Sequence, residues 1–370
     1  MGTQSMIYKN IGNDKVSAIG FGTGFHLPEN EEGSNLERTL FTCIDNGVNF
    51  VDTAPVYGNG ISERLLGSAL KIVGRNKVFL ASKVSPDDTT YDGVIKSAED
   101  SLQRLQTDRI DLFQVHWPNP NVPISETMRA METLVQQGKI RHIGVSNFLR
   151  KETINAMSAL VSNSLASLQV EYNFFERSVE EKILPFCKAS DVKLIAYSPL
   201  AQGKLVNGSN QYEFLTKLSK KYDCTPGQLV LRWLIENQNV IAIPNTSKPS
   251  RALENAGAAD IQLTENDYIV MSGKLNTPTK HIDTKQIRVS NDYNRKVYQT
   301  VEEAKENAMG MTPSPIELSE EMKQGIFLKP IRLKAVSETE FDLIEGRLRF
   351  WAWVIAFGWN KKIPALVWEK

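Results

Sequence analysis

Residues 48–67, with the sequence VNFVDTAPVYGNGISERLLG, hold the pattern that decides the fold. An apolar run ends at Asp52, a loop rich in proline and glycine follows, and an amphipathic stretch begins near Ser62. Strand, loop and helix in this order predict one unit of a parallel α/β sheet. Two residues with useful chemistry, Asp52 and Tyr57, stand at the strand end and in the loop that follows it.

The same unit recurs on both sides of this stretch. Apolar, strand-like runs are found at Val16–Gly22, Val48–Asp52, Val78–Val84, Ile110–His116, Ile140–Ser146, Ser167–Glu171, Val192–Tyr197 and Val240–Pro244. Helix-like stretches separate them, at Leu36–Asn46, Ser62–Val73, Tyr91–Leu105, Ile124–Gln137, Glu152–Leu160, Glu180–Ser190 and Pro226–Asn237. Eight strands that alternate with helices predict an α/β protein with a (β/α)8 TIM barrel, in which sites gather at the carboxyl ends of the strands.

Four polar residues stand at or just after predicted strand ends: Asp52, Tyr57, Lys83 and His116. A phenol titrates near pH ~10, and a cation such as Lys83 favours its ionised form, so we expect a lowered pKa at Tyr57. A carboxylate behind the lysine keeps the lysine charged, and a histidine can hydrogen-bond a carbonyl oxygen. Together these groups predict a device that protonates a carbonyl oxygen while hydride reaches its carbon. Taken singly, each has an ordinary structural interpretation, such as a helix N-cap for Asp52.

From about Ile7 to Met271 the chain resembles an aldo-keto reductase, because these motifs recur in the same order along that stretch. The resemblance implies the roles of the four residues. Tyr57 would be the general acid and Lys83 its activator. Asp52 would be the partner of Lys83, and His116 would orient the carbonyl group.

A second group of motifs concerns the cofactor. A Rossmann-type dehydrogenase needs GxGxxG after its first strand, and residues 20–24, GFGTG, lack that spacing. The resemblance instead implies an extended nicotinamide dinucleotide across the barrel mouth, with its carboxamide held by serine, asparagine and glutamine and its ring stacked on tyrosine. The residues expected at this end are Ser146, Asn147, Gln169, Tyr197, Ser198 and Leu200, with Thr23 nearby. The alternative for Ser146 and Gln169 is a capping role at strand ends.

Residues 243–255, IPNTSKPSRALEN, correspond to the adenosine end of that cofactor. The resemblance places Arg251 on the 2′-phosphate and Glu254 and Asn255 on adenine, and the same stretch includes the expected cofactor residues Thr246 and Ser247. Arginine suits a phosphate because its planar fork donates two hydrogen bonds.

One position in this stretch departs from the family pattern. Asn245 stands where lysine is usual, which removes one positive charge from the phosphate pocket. Lys248 is the cation that could replace it from the loop. NADP(H) is still expected to be favoured over NAD(H), because Arg251 is present.

Substrate recognition leaves a weaker signal. Phe25, Trp117 and Phe148 stand in loops at the predicted barrel mouth and are expected to line the substrate pocket, with ordinary loop packing as the alternative. The motifs resemble those of bacterial members that act on sugars, pyridoxal or small aldehydes. The expected substrate is therefore a small carbonyl compound.

Composition excludes several other functions. Formal net charge is zero over 370 residues, so no bulk binding of nucleic acid or of a membrane surface is expected. Cys43, Cys187 and Cys224 lie far apart without a CxxC motif, which predicts neither a zinc site nor a disulfide framework and fits a reducing cytoplasm. The first residues lack the pattern of a signal peptide, and the apolar run Phe350–Trp359 is too short to span a bilayer.

The pattern changes after Met271. We expect a barrel over residues 1–275, an irregular and partly helical linker over 276–315, and a small α+β module over 316–370. The module resembles the ParB/sulfiredoxin-like fold through a strand, EFDLIEG, and the GRLR that opens a helix. That resemblance implies a nucleotide phosphate site at Gly346, Arg347 and Arg349, since free N–H groups at a helix start favour anions. The alternative is a solvated helix face, with tryptophans that pack on the barrel.

The sequence thus predicts an NAD(P)H-dependent carbonyl reductase or alcohol dehydrogenase that acts on an aldehyde, ketone or sugar. Two alternatives stay open. One is a non-catalytic, nicotinamide-binding regulator, although a sensor has no need of Tyr57 and Lys83 together. The other is a sugar-pathway oxidoreductase whose C-terminal module binds a nucleotide or a nucleotide-linked substrate.

Overall fold

A computed structural model describes residues 6–24, 32–203, 213–274, 280–289, 298–308, 310–311, 313–324 and 330–368. The chain divides into two units, Met1–Tyr268 and Ile269–Lys370. A parallel sheet forms the centre of the first unit, and a mixed sheet forms the centre of the second.

In the part of the first unit that the structure describes, eight parallel strands form a sheet, in the order in which they occur along the chain. An antiparallel hairpin precedes them, made of β1 (Tyr8–Ile11) and β2 (Asp14–Ser17). The parallel strands are β3 (Phe21–Gly22), β4 (Phe50–Asp52), β5 (Phe79–Val84), β6 (Ile110–Val115), β7 (Ile140–Ser146), β8 (Leu165–Glu171), β9 (Lys193–Tyr197) and β10 (Val240–Ile243). Bridges between Ile19 and Ala242 and between Gly22 and Asn245 join the two ends of the sheet. The predicted barrel is therefore confirmed.

Helices connect successive strands of this sheet and also follow its last strand. They are α1 (Glu32–Asp45), α2 (Ile61–Val73), α3 (Tyr91–Leu105), α4 (Ile124–Gln136), α5 (Arg150–Ala159), α6 (Val179–Ala189), α7 (Glu213–Lys221), α8 (Pro226–Glu236), α9 (Pro249–Ala256) and α10 (Glu265–Lys274). Local signals explain several starts: Thr90 accepts a hydrogen bond from the Gly93 amide at α3, and Thr225 and Gln228 form a capping box at α8. α7 is an additional helix that the sequence pattern did not predict.

The pattern of burial indicates which end of the barrel is open to solvent. All six residues of β5 and all six of β6 are buried, as expected for strands with a core on both sides. Ile11 and Val16 of the hairpin join a core cluster with Phe50, Phe79 and Ile241, which stand near the beginnings of their strands. The hairpin therefore covers the amino-terminal end of the barrel, and the carboxyl ends of the strands carry the site.

Within its described residues, the second unit has a five-stranded sheet with the order β11-β15-β13-β14-β12. Its elements are β11 (Lys280–Asp283), β12 (Ile287–Arg288), α11 (Val301–Lys305), α12 (Pro315–Lys323), β13 (Ile331–Ala335), β14 (Phe341–Glu345), α13 (Arg347–Phe357) and β15 (Lys362–Trp368). α13 packs Phe350 and Trp351 into a core with Leu333 and Leu343. Neither α13 nor any other helix in the described ranges is long and apolar enough to cross a membrane.

The start of this sheet differs from the sequence expectation. β11 and β12 lie within residues 276–315, the stretch expected to be a linker, and they pair with β15 and β14. They join the sheet because Ile282 and Ile287 add apolar side chains to its core. Ser314 caps α12 at Pro315, so the last residues of the expected linker begin a helix. The ParB/sulfiredoxin-like character of the unit stays a prediction.

Candidate active site

Three of the four predicted catalytic residues come from the carboxyl ends of neighbouring strands. Asp52 ends β4, Lys83 is the penultimate residue of β5, and His116 follows β6 directly. These strands are adjacent in the sheet, so their last side chains meet at one end of the barrel. All three residues are buried.

Lys83 and Asp52 form a buried ion pair. Nζ of Lys83 lies 2.6 Å from Oδ1 of Asp52 and 3.0 Å from the carbonyl oxygen of Thr53. Burial lowers the pKa of Lys83, but the nearby Asp52 and Tyr57 outweigh it, and the pKa is raised above its ordinary value. Lys83 is therefore a charged ammonium held at a fixed point by oxygen acceptors.

Tyr57 reaches this pair from the loop between β4 and α2. Nζ of Lys83 lies 3.4 Å from its hydroxyl oxygen, and its ring meets the His116 ring edge-on, with centroids 6.0 Å apart. Ser62 fixes the end of the loop, because its hydroxyl donates to Oγ1 of Thr23 at 2.8 Å. The structure therefore brings all four predicted residues together.

The proton on Tyr57 is held more tightly than the sequence suggests. Burial raises the pKa of Tyr57 above its ordinary value, and this effect outweighs the opposing charge of Lys83. The expected lowering of this pKa is wrong, because it counted the cation and left out the loss of water. A raised pKa keeps the phenol protonated, as a proton donor requires, and the adjacent ammonium can stabilise the phenolate left after proton transfer.

His116 is a neutral side chain. Burial, with a smaller contribution from the charge of Lys83, lowers its pKa to about 3. Nδ1 is buried and has no hydrogen-bond partner among the described residues. A buried N–H without an acceptor is rarer than a buried acceptor without a donor, so the ring proton belongs on Nε2. Trp117 stacks on the ring, with centroids 3.9 Å apart, and restricts the tilt of the imidazole.

Asn147 links the strand ends around the expected nicotinamide site. Its Nδ2 donates to the carbonyl oxygen of His116 at 3.0 Å and to Oγ of Ser146 at 3.1 Å. Its Oδ1 accepts a hydrogen bond from the Tyr197 hydroxyl at 3.0 Å. The backbone of Asn147 has a φ of 62°, a left-handed conformation that asparagine tolerates better than most residues. One side chain therefore connects the ends of β6, β7 and β9.

Two glutamines contact the second oxygen of Asp52. Nε2 of Gln169 lies 2.9 Å from Oδ2, and Nε2 of Gln114 lies 3.3 Å from the same atom. Gln169, expected at the cofactor carboxamide, therefore contacts the carboxylate and also lines the cavity described below. Gln114 is not among the residues predicted for the site, although a glutamine inside the apolar run IDLFQVH is a visible signal.

A cavity of about 750 Å³ opens beside the group of Asp52, Tyr57, Lys83 and His116, called the tetrad below. The predicted residues on its wall are Asp52, Tyr57, His116, Trp117, Ser146, Asn147, Gln169, Tyr197, Ser198, Leu200, Arg251, Glu254 and Asn255. Lys83 is completely buried behind Tyr57. The tetrad and the expected adenosine-binding residues thus share one cavity.

Two predicted residues near the tetrad are not on this wall. Thr23 is buried, and its hydroxyl donates to the carbonyl oxygen of Asp52 at 3.1 Å, so it supports the strand end instead of facing the cavity. Phe148 is buried and lies off the described cavity wall, as its alternative interpretation of loop packing requires. Phe25 lies outside the described residues.

The stretch before α9 contributes fewer residues to the cavity wall than the sequence predicts. Thr246 is buried, and its Oγ1 accepts a hydrogen bond from the Lys248 amide at 3.1 Å, while Ser247 is exposed. Neither residue is on the described cavity wall, and neither is Lys248. Asn245, at the position where the family pattern has lysine, does line the cavity.

The far end of the cavity carries an uncommitted cation. Arg251 is exposed, lines the cavity and makes no ion pair with any residue that the structure describes. Glu254 beside it accepts a hydrogen bond from the Thr225 hydroxyl at 2.7 Å. This end therefore offers a guanidinium to an anionic group.

Other wall residues lie outside the predicted set. They are Gly22, Gly24, Val56, Pro199, Gln202, Gly203, Gly227, Ile243 and Pro244. Part of this wall depends on left-handed backbone at Ser198 and Gln202, with φ values of 48° and 56°. Such conformations are rare for these residue types, so they could not be predicted from residue identity.

This fold and this site define a class of protein, the (β/α)8 barrels with a tyrosine, lysine, aspartate and histidine tetrad at the carboxyl ends of the strands. The model of the aldo/keto reductase family matches residues 18–275. The chain therefore belongs to the aldo/keto reductase family, and it is an NAD(P)H-dependent oxidoreductase.

Several reductases are similar to this chain. The methylglyoxal reductase YeaE of Escherichia coli (strain K12) is 32% identical over 276 residues, which cover 74% of this chain and 96% of that protein. The glyoxal reductase of Bacillus subtilis (strain 168) is 34% identical over 250 residues, which cover 67% of this chain and 85% of that protein. The crystal structure of an aldo-keto reductase from Klebsiella pneumoniae in complex with NADPH matches with a TM-score of 0.67 at 33% identity, over 72% of this chain and 95% of that chain.

Proposed function

We propose that the protein reduces small aldehydes and ketones, in particular α-oxoaldehydes such as methylglyoxal and glyoxal, with NADP(H) as cofactor and Tyr57 as general acid. The buried Lys83–Asp52 pair, next to the Tyr57 hydroxyl at the edge of the cavity, is the observation that supports this proposal most directly. The names of the two related reductases support the substrate class. Free thiols at all three cysteines support a cytoplasmic location.

The reaction divides its tasks among the tetrad. Bound nicotinamide supplies the hydride that reaches the carbonyl carbon. Tyr57 gives its hydroxyl proton to the carbonyl oxygen, which gains negative charge as the carbon–oxygen double bond becomes a single bond, and the product is an alcohol. His116 donates Nε2–H to the same oxygen. Lys83 stabilises the Tyr57 phenolate until solvent returns the proton, and Asp52 keeps Lys83 in place.

The residues on the cavity wall fit a nicotinamide dinucleotide. Ser146, Asn147 and Gln169 offer hydroxyl and amide groups beside the tetrad, and Tyr197 offers an aromatic ring. Arg251 offers a cation without an ion-pair partner among the described residues at the other end. A guanidinium there suits a 2′-phosphate, which favours NADP(H) over NAD(H).

The test is the oxidation of NADPH by methylglyoxal, followed by absorbance, for the purified protein and for Tyr57→Phe. Loss of the proposed general acid is expected to lower kcat by about 10²–10⁴-fold. Fluorescence titration is expected to show NADPH affinity unchanged within about twofold, because the ring remains. Tyr91→Phe, at a tyrosine off the cavity wall, is the matched control. A Tyr57→Phe rate above about one hundredth of the wild-type rate contradicts the acid role.

The nucleotide site in the second unit stays a separate prediction. Gly346 directly precedes α13 in a left-handed conformation, and Arg347 and Arg349 lie in the first turn of the helix. Nη1 of Arg349 already donates to the carbonyl oxygen of Pro330 at 3.0 Å, so an anion would compete with a backbone acceptor. Calorimetric titration with ATP, ADP and CTP, with Arg347→Ala as control, tests it. Absence of heat with every nucleotide contradicts it.

A further inference from the structure

Gln114 is a buried polar residue within the barrel core. It stands on β6 directly opposite Lys83 of β5 in the parallel register, and none of its surface is exposed. Its Nε2 lies 3.3 Å from Oδ2 of Asp52. Lys83, which contacts Tyr57, and Gln114, which contacts Asp52, are therefore cross-strand neighbours.

The contact with Asp52 fixes the orientation of the Gln114 amide. Turning the amide over would bring Oε1 to Oδ2 of Asp52, and two acceptors there would repel each other. With Nε2 toward Asp52, Oε1 is buried and has no hydrogen-bond partner among the described residues. A leucine of similar size would avoid this unmet acceptor, so packing alone does not account for a glutamine.

The neighbouring strand makes room for this side chain. Gly144 is the register partner of Gln114 on β7, and a Cβ at Gly144 would lie 2.9 Å from Cγ of Gln114. The same Cβ would lie 2.4 Å from Oγ of Ser167 on β8. A side chain at position 144 would therefore displace both neighbours.

We propose that Gln114 is a positioning residue for the reduction, which holds Asp52 in the orientation that presents Oδ1 to Lys83. A carboxylate can rotate about its Cβ–Cγ bond, and a donor on Oδ2 opposes that rotation. Gln169 holds the same oxygen, but it also lines the cavity where cofactor binds, whereas Gln114 is on the core side only. The proposal rests on the proposed function, because its readout is carbonyl reduction.

The first test is Gln114→Leu, which keeps the volume and removes the donor. Loss of a hydrogen bond to a charged group is expected to lower kcat for methylglyoxal about tenfold. NADPH affinity, from fluorescence titration, is expected to stay within about twofold, because Gln114 is not on the cavity wall. Ser167→Ala is the matched control: it removes a buried hydroxyl that has no hydrogen-bond partner among the described residues, beside the same glycine, and is expected to leave kcat unchanged.

The second test is Gln114→Glu, which separates positioning from packing through pH. A protonated glutamic acid can donate to Oδ2 of Asp52 as the amide does, and an ionised one repels it. The rate relative to wild type is therefore expected to rise as the pH falls from about 9 to about 6. At low pH, where the acid is neutral, Gln114→Glu is expected to approach the wild-type rate, while Gln114→Met, which fills the space without a donor, is expected to stay below it. Packing alone would give these two variants equal rates at low pH, so the comparison is informative even where Gln114→Leu folds poorly.

The outcomes separate the two proposals. A wild-type protein that does not oxidise NADPH with any aldehyde contradicts the proposed function. An active wild type, together with a Gln114→Leu rate within about twofold of it or a Gln114→Glu rate that follows the wild-type pH profile, overturns the positioning role.

Discussion

The backbone of Gly24 lies against the ring of Tyr57, so that a Cβ at Gly24 would sit 3.1 Å from Cζ of that ring. Gly24→Ala is therefore expected to displace the phenol by a few tenths of an ångström and to lower kcat about tenfold, since small misplacements of a reacting group are costly. Gly227→Ala is the control on the same cavity wall, because a Cβ there meets its nearest neighbour at 3.8 Å. Equal rates for the two variants would contradict the prediction.

The ion pair behind Tyr57 predicts that activity and stability can be separated. Lys83→Met leaves the buried Asp52 carboxylate without its cation, which is expected to cost about 3–5 kcal/mol in the free energy of unfolding and at least about a hundredfold in kcat. Lys83→Met with Asp52→Asn removes both charges, so urea denaturation is expected to show most of the stability restored while kcat stays low. Recovery of turnover in the double variant would exclude the role of Lys83 in stabilising the phenolate.

The neutral state of His116 predicts a pH dependence of stability. Its folded pKa of about 3 is below the ordinary value of 6.5, so between these values the unfolded chain binds a proton that the folded protein does not. The contribution of this residue is thus complete above pH ~6.5 and is lost as the pH falls. Relative to His116→Gln, wild type is expected to lose about 2 kcal/mol between pH 7 and pH 5 in urea denaturation. Parallel pH profiles for the two proteins would contradict a buried neutral imidazole.

The cation at the far end of the cavity predicts cofactor choice. Arg251→Ala is expected to weaken NADPH about 10–100-fold and NADH little, because only NADPH carries the 2′-phosphate. Asn245→Lys is expected to tighten NADPH, since position 245 is on the cavity wall. Lys248→Ala, off the described wall, is the matched control. An equal loss of affinity for NADPH and NADH in Arg251→Ala would mean that the arginine contacts adenine or stabilises the fold.

Strand ends made the tetrad predictable from sequence. In a parallel barrel every strand points its carboxyl end the same way, so Asp52, Lys83 and His116 had to meet once the strands were recognised. The electrostatic balance was not predictable, because the pKa of Tyr57 depends on how much water the folded loop excludes. The residue types show which charged groups are present, whereas the extent to which water surrounds these groups depends on packing.

Some residues that lie next to site residues in the sequence do not face the cavity in the structure. Thr23 and Phe148 stand beside site residues along the chain, yet both face the protein interior, because backbone direction in a loop is not set by residue type. Gln114 shows the opposite case: it is polar within an apolar run and reaches Asp52 through cross-strand register. Register depends on which strands pair, and strand pairing can be predicted from a single sequence only after the whole fold is known.

The bridges that join Ile19 to Ala242 and Gly22 to Asn245 have a consequence for biosynthesis. The ribosome synthesises β10 more than two hundred residues after β3, so the sheet stays open until nearly the whole barrel has left the ribosome. An open sheet exposes backbone edges to other chains, and chaperones are expected to shield them during this interval. Gly22 and Asn245 both line the cavity, so the event that ends this exposure also completes the wall of the binding site.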